Sequence, residues 1–482
     1  MKKHIIIILG LFIIGTSGCK KDFLSLEENP NTPSVTTPQF LLTGALKTAA
    51  DIVNINYAHY GVWAGQLSPS GNYVPSPQLQ QYQFTTDNYQ VFTPLYLNLS
   101  NFNNLEVLAK SDPTLTKFQA IAKIMKAYDF EQLVDNYGDV PYTEAFQQSK
   151  TFFPKYDKGQ AIYTDLIKQL DAAVALIDGS TSALSPDVSD IVFKGDMIKW
   201  RRFALTLKLR MAIRTNVKVA GLPAAGTDYL DASTLAATQP GYANSDALNG
   251  QQSPFYRSFG FDQNGNPTGN NAYYRASAFE VGLLNSYSDP RISKFYATTS
   301  GGKIVGIILG DNTAIPNSGT SAIGAGLLKD PTMAGVLMSS AEALFLQAEG
   351  VTNGFITGDA QQLYQSGITA SFMSVGLTAV NATTYYTQAK DNVSWVASTN
   401  KQQAIVTQKW ISLTGYSSLE SYNELRRTGY PAGVPRSIDN KAIGTGLPTR
   451  IFYPTTEYQQ NPDNVGAEGI INPFGTKIFW AK

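Results

Sequence analysis

Apolar residues recur at helical spacing in segments that come in pairs, and this pairing restricts the chain to a scaffold of packed helices. Within residues 116–136, Phe118, Ile121, Met125 and Tyr128 share one face, and Gly138 followed by Pro141 ends the run. Residues 157–177 repeat the pattern through Ile162, Leu166, Leu170 and Ala173 and end at Asp178-Gly179. A strand alternates its faces every second residue, so this spacing buries a stripe only if the backbone is helical. Residues 338–350 and 359–375, joined through Thr352-Asn353-Gly354, predict a helix-loop-helix, and residues 402–413 with 417–427 predict another. Such antiparallel pairs stack like tetratricopeptide units, although no strict period of ~34 residues is present. The expected fold is mainly α: a tetratricopeptide-like helix-pair scaffold with long loop-rich inserts and a few short strands.

The inserts fall near 56–93, 217–275, 295–337 and 429–482 and hold most of the Gly, Pro and Asn. They carry short β-type runs such as 303–309 and an Asn264-Gly265 turn signal. Loops this long in a compact protein are functional or disordered, and a rigid frame carrying variable loops suits recognition. One body over 38–482 is expected to hold both frame and inserts.

Residues 194–214 form a further helix whose apolar arc includes Trp200, Ala204, Leu205, Leu207, Leu209 and Met211. Arg201 and Lys208, seven residues apart, fall near the middle of that arc, and an unpaired buried cation costs several kcal/mol. Glu342 and Glu349 share the same spacing, so the two helices are expected to pack with these charges facing; a solvated basic face is the alternative.

The amino terminus has its own logic. Met1-Lys2-Lys3-His4 is a basic start, residues 5–14 are apolar except for Gly10, and Ser17-Gly18 precede the only cysteine, Cys19. The apolar run is shorter than the ~20 residues needed to span a bilayer, so residues 1–18 are expected to be a secretory signal peptide. Cys19 stands where a bacterial lipoprotein receives its acyl chains, and the polar, Pro- and Asn-rich residues 19–37 suit a lipidated flexible leader. Cys19 is therefore the expected lipid attachment site and membrane tether.

Chemistry is hard to assemble from the remainder. One Cys and two His exclude a disulfide and a multi-ligand Cys/His zinc site, so no metal or cofactor is expected. Beyond residues 1–18 the only histidine is His59, and no GxSxG, P-loop or HExxH pattern occurs. Asp135-Asn136-Tyr137-Gly138-Asp139 is a helix stop that lacks the later acidic ligand of a calcium loop. A carboxylate-pair glycosidase needs only two acids, but no pair stands out, so no enzyme is expected. Charges balance at 37 against 37 and total only 15%, which argues against a nucleic-acid partner.

Binding of an uncharged polar ligand fits better. Sugar C–H faces pack on aromatic rings while hydroxyls exchange hydrogen bonds with Asn, Asp and Arg. Aromatics make up 11% of the chain, and the inserts offer Tyr57, Tyr60, Trp63, Asn72, Tyr73, Tyr82 and Phe84 in the first and Phe255 to Tyr274 in the second. The candidate ligand-binding residues are Trp63, Asn72, Tyr73, Tyr82, Tyr256, Arg257, Asp262 and Tyr273. For each ring the alternative is that it pins a loop to the scaffold.

Cys19 with an Asn-Pro-Asn leader, DNYGDVPYTEA (135–145), KWRRFALTLKLRMAIR (199–214), SDPR (288–291), MSSAEALFLQAEG (338–350), QKWISLTG (408–415), ELRRTGYP (424–431) and PTRIFYPTTEYQQNPDN (448–464) follow one another along the chain. In this order they resemble the SusD/RagB-like surface lipoproteins of Bacteroidetes. The resemblance implies a tetratricopeptide-like scaffold on the outer face of the outer membrane, held as a lid on a SusC-like TonB-dependent transporter. It implies capture of an oligosaccharide or other nutrient without cleavage. A peptide-binding or purely structural lid, and a carboxylate-based glycoside hydrolase, are the alternatives. The shared motifs are scaffold segments, so no ligand contact is carried over from the family.

Overall fold

Helix caps fix where the predicted helices begin. The computed structural model describes residues 36–482 except 57, 148–149, 181–182 and 246–249; the expected signal peptide, Cys19, nearly all of the expected leader and Tyr57 lie outside the described residues. Residues Pro38–Lys482 form one unit by their contacts, and the description concerns that unit. Its main helices are α1 (Pro38–Ile55), α2 (Ala58–Trp63), α3 (Phe92–Lys110), α4 (Thr116–Tyr137), α5 (Gly159–Asp178), α6 (Met197–Thr215), α7 (Ser340–Thr352), α8 (Ala360–Ser374), α9 (Lys401–Ser412) and α10 (Ser418–Thr428). α6 starts three residues later than its apolar pattern does, because Lys194 (φ 56°) and Gly195 (φ 80°) turn the chain and Asp196 then caps it, accepting from the Ile198 and Lys199 N–H groups. Likewise Met338 belongs to a strand, and Ser339 caps α7 through the Glu342 N–H.

The helices pack in series: α1 on α3, α3 on α4, α4 on α5, α5 on α6, α6 on α7, and α7 on both α8 and α9. α9 packs on α10, which returns to α2. The mainly-α expectation therefore holds. Strands among the described residues are short: Val140–Pro141 pairs with Tyr156–Asp157 between α4 and α5, and two other pairs join inserts, Leu67–Pro69 (β1) antiparallel with Tyr274–Ala276 (β2) and Ala236–Thr238 with Gly335–Met338. The predicted β-run at 303–309 makes only one bridge, Ile307 to Ser277.

The expected pairing of Arg201 and Lys208 with Glu342 and Glu349 is wrong in its partners. Lys208 Nζ lies 2.5 Å from Asp171, and Arg201 Nε lies 3.0 Å from Asp178 and also contacts Asp228. Asp171 and Asp178 share the seven-residue spacing, so the two cations face α5, the neighbour on the other side of α6. The α6–α7 contact runs through Arg210 instead, 2.9 Å from Glu342.

Arg210 opens a buried ionic network. It also binds Glu131 of α4, while Arg214 binds Glu131 at 2.7 Å, Asp135 at 2.6 Å and Glu420 of α10. Lys409 of α9 reaches Glu424 at 2.8 Å, and Arg427 joins Glu424 to Glu349 of α7. Burial pushes Asp135 up to about 6 and Glu342 up to about 7, against the pull of Arg214 and Arg210 respectively. Five helices are thus held in register by charges that leave the interior only at the cost of exposing one another unpaired.

Candidate ligand-binding surface

The first insert begins inside the core. His59, Tyr60 and Trp63 of α2 are buried, and the His59 ring stacks on Tyr89 at 4.2 Å while Tyr60 stacks on Tyr422 at 4.7 Å. Burial drives His59 down to about 3, so it is neutral at pH 7, and nothing in its packing on rings resembles a proton-transfer site. Trp63 has 0% of its surface exposed and meets Tyr82, Phe84 and Tyr89, and Tyr82 has 1% exposed and accepts from the Ser437 N–H at 2.8 Å. These two rings are corrections to the candidate set. They pin the 56–93 insert to the scaffold and to the 429–482 insert, and neither presents a face to a ligand.

Beyond Trp63 the chain leaves the core. β1 pairs with β2 in the register Leu67↔Ala276, Ser68↔Arg275, Pro69↔Tyr274, and the Ser70 N–H extends the ladder to the Tyr273 carbonyl at 2.8 Å. Pairing two inserts that lie some 200 residues apart brings Tyr73 against Tyr273, edge to face at 5.4 Å, with Tyr274 a further 5.1 Å from Tyr273. Tyr73 is 43% exposed and Val74 88% exposed, with Asn72 exposed beside them.

A third insert closes the site from the side. Ser70 Oγ donates to Asn317 Oδ1, Asn317 Nδ2 donates to the Ala272 carbonyl at 3.0 Å, and Arg275 Nη2 donates to the Asn317 and Thr320 carbonyls at 2.6 and 3.0 Å. Gly71 is required here, because a Cβ would stand 2.6 Å from the Thr313 carbonyl oxygen. The result is a shelf of exposed ring and amide at the meeting of the 56–93, 217–275 and 295–337 inserts.

Of the candidate residues, the structure brings Asn72, Tyr73 and Tyr273 together. Tyr256, Arg257 and Asp262 have local employment. Tyr256 packs on Phe261 at 6.4 Å, and Arg257 donates to the Gly250 carbonyl at 2.9 Å and lies 3.5 Å from Asp51 of α1. Asp262 accepts from the Asn264 and Asn266 N–H groups at 2.8 and 2.9 Å and closes the predicted Asn264-Gly265 turn; the Asn266 amide and this backbone hold its carboxyl below the usual range. Sequence reasoning did not nominate Ser70, Arg275 or Asn317, whose role comes only from the pairing of distant inserts.

A scaffold of this order, with loops massed over its strand pairs, is shared by a known family. Residues 30–454 match the SusD-like family described as "Starch-binding associating with outer membrane", and the chain belongs to it. Among solved structures, it is similar to a chitin-binding protein (TM-score 0.75, 23% identity, covering 92% of this chain and 100% of the other). It is similar to a chitin-binding SusD homolog from Flavobacterium johnsoniae (TM-score 0.72, 24% identity, 91% and 98% covered). A SusD homolog from Bacteroides fragilis aligns as well (TM-score 0.75, 23% identity, 92% and 99% covered). At these identities the likeness concerns the fold. A search of curated proteins found no match.

Proposed function

We propose that this protein is a lipid-anchored outer-membrane capture protein that binds an oligosaccharide and passes it, uncleaved, to a SusC-like TonB-dependent transporter. The observation that carries this reading is the shelf of Asn72, Tyr73 and Tyr273, where an exposed ring stands edge to face against a second ring beside an exposed amide. Such a surface offers a sugar C–H face to stack on and hydrogen-bond partners at its edge, without using charge. The family's association with starch and the outer membrane supports the ligand class and the location, and the names of the chitin-binding relatives support a neutral polysaccharide. Cys19 supplies the anchor in this reading.

The test is incubation with starch- and chitin-derived hexasaccharides, followed by retention on immobilised glycan and chromatography of the soluble sugars. Retention with every hexasaccharide recovered intact is expected; shortened products would replace the reading with a hydrolase. Co-purification of a TonB-dependent barrel from membranes, lost with Cys19→Ala, tests anchor and partner.

A further inference from the structure

A second cavity opens far from the inserts' shelf in sequence, between α3, α4 and α5. It has a volume of about 470 Å³, within the range of small-molecule sites, and is lined by Glu106, Lys110, Lys123, Lys126, Phe130 and Phe146 among others. Its floor is a single carboxylate shared by three ammonium groups. Glu106 lies 3.1 Å from Lys110, 2.9 Å from Lys123 and 3.0 Å from Lys126. Three cations therefore share one directly contacting carboxylate. The next acid, Asp165, is reached through the Gln169 amide, which donates to Asp165 at 3.1 Å and accepts from Lys123 at 2.7 Å. Asp157 also stands behind the lining, accepting from the Tyr142 and Thr143 N–H groups at 3.0 and 2.8 Å, so among these three acids Glu106 is the one that contacts the ammonium groups directly.

Two of the three lysines are not free to disperse into solvent. Lys123 and Lys126 keep only 12% and 20% of their side-chain surface exposed, and Lys126 is further tied to Asn103 Oδ1 at 2.9 Å. Burial, together with the neighbouring Lys123 and Lys110, holds Lys126 below the usual lysine range despite Glu106, while Lys126 and Lys123 overcome burial to hold Glu106 down at about 2. The recess thus presents three ammonium groups on one contacting carboxylate, and an anionic guest would add counter-charge to them directly.

The wall decides which anion. Lys126 Nζ sits 5.8 Å from the centre of the Phe146 ring, and Phe130 meets Tyr142 at 4.7 Å, giving an aromatic side. Asn103, Gln147 and Gln169 place amides around the lining. A bare phosphate or sulfate would use the ammonium groups and the amides but leave the rings idle; a sugar bearing a carboxylate uses all three. We propose that this cavity binds an acidic saccharide, with the carboxylate of a uronate residue on Lys110, Lys123 and Lys126 and the sugar face against Phe146. The site is separate from the neutral-sugar shelf and does not depend on it.

Calorimetry with trigalacturonate, neutral galactotriose and sodium sulfate tests this on the full chain. Trigalacturonate is expected to bind about tenfold more tightly than galactotriose, more weakly as salt rises, and about tenfold less tightly to Lys110→Glu. Lys110 is 59% exposed, so that variant keeps its fold where Lys126→Gln could lose it. Tyr73→Ala is expected to leave trigalacturonate binding unchanged. Equal affinity for the charged and neutral trisaccharides, no effect of Lys110→Glu, or loss of binding in Tyr73→Ala would each overturn the proposal. Sulfate matching trigalacturonate would overturn the saccharide assignment. Because the neutral-sugar shelf is read with different probes and a different variant, failure here leaves that reading standing.

Discussion

The ionic interior and the aromatic shelf use polar groups in opposite ways. Around Arg214, every carboxylate is held by a cation or an amide from another helix: Glu131, Asp135 and Glu420 on Arg214 itself, Asp135 again on Asn423 at 3.0 Å and on the Trp480 N–H at 2.9 Å. On the shelf, strand pairing and the Ser70–Asn317–Arg275 bonds fix the backbone and leave the Tyr73 ring and Asn72 amide facing outward. The comparison teaches that polarity paired between helices specifies how they dock, while polarity left open toward solvent is available to a ligand.

The two regions therefore respond differently to truncation. Arg214→Ala takes the shared cation from three interior carboxylates, leaving Glu131 on Arg210 but Asp135 and Glu420 with only neutral donors, and is expected to cost about 3–5 kcal/mol, read as a drop in the urea midpoint with the slope unchanged. Trp63→Ala, which empties a fully buried ring site, is expected to cost a similar ~3–5 kcal/mol; a loss under about 1 kcal/mol would return Trp63 to the surface.

A smaller effect lies in the pH dependence. Burial raises Asp129 from 3.8 to about 8, with Asn98 its only hydrogen-bond partner among the described residues. The folded chain thus keeps a proton that the unfolded chain has released, so this stability is fully present below about pH 4 and is lost as pH rises through about 8. Glu280, raised by burial to about 8, acts in the same direction. Asp129→Asn is expected to flatten the decline by up to about 1.4 kcal/mol per pH unit within that window, measured by urea titrations at several pH values. An unchanged slope would mean that Asp129 is ionised in the fold. Smallest of all, Tyr73→Ala is expected to change stability by no more than about 0.5 kcal/mol, because its ring is largely outside the core.

Helices with a clean stripe were legible: α4, α5, α8, α9 and α10 lie within two residues of where their apolar spacing puts them. α1 and α3 were not. α3 places Pro94 in its first turn and scatters Asn98, Ser100, Asn101, Asn103 and Asn104 through its length, so its stripe is broken by residues that prefer caps and turns. The spacing of Arg201 and Lys208 correctly signalled a charged seam, but sequence spacing does not say which neighbouring helix a face meets. The shelf was half legible. Aromatic density marked both inserts, yet Trp63 and Tyr73, ten residues apart, end in the core and at the surface because β1 carries the chain outward between them. That separation is a matter of strand register between distant segments, which local pattern does not encode.

The most direct measurement is calorimetric titration of starch- and chitin-derived hexasaccharides into the wild-type protein and into the Tyr73→Ala/Tyr273→Ala double variant. The account predicts that one of these sugars binds the wild type and that the double variant loses at least about 1.4 kcal/mol, a tenfold weakening, with its thermal unfolding nearly unchanged. Undiminished affinity in a folded double variant would contradict it.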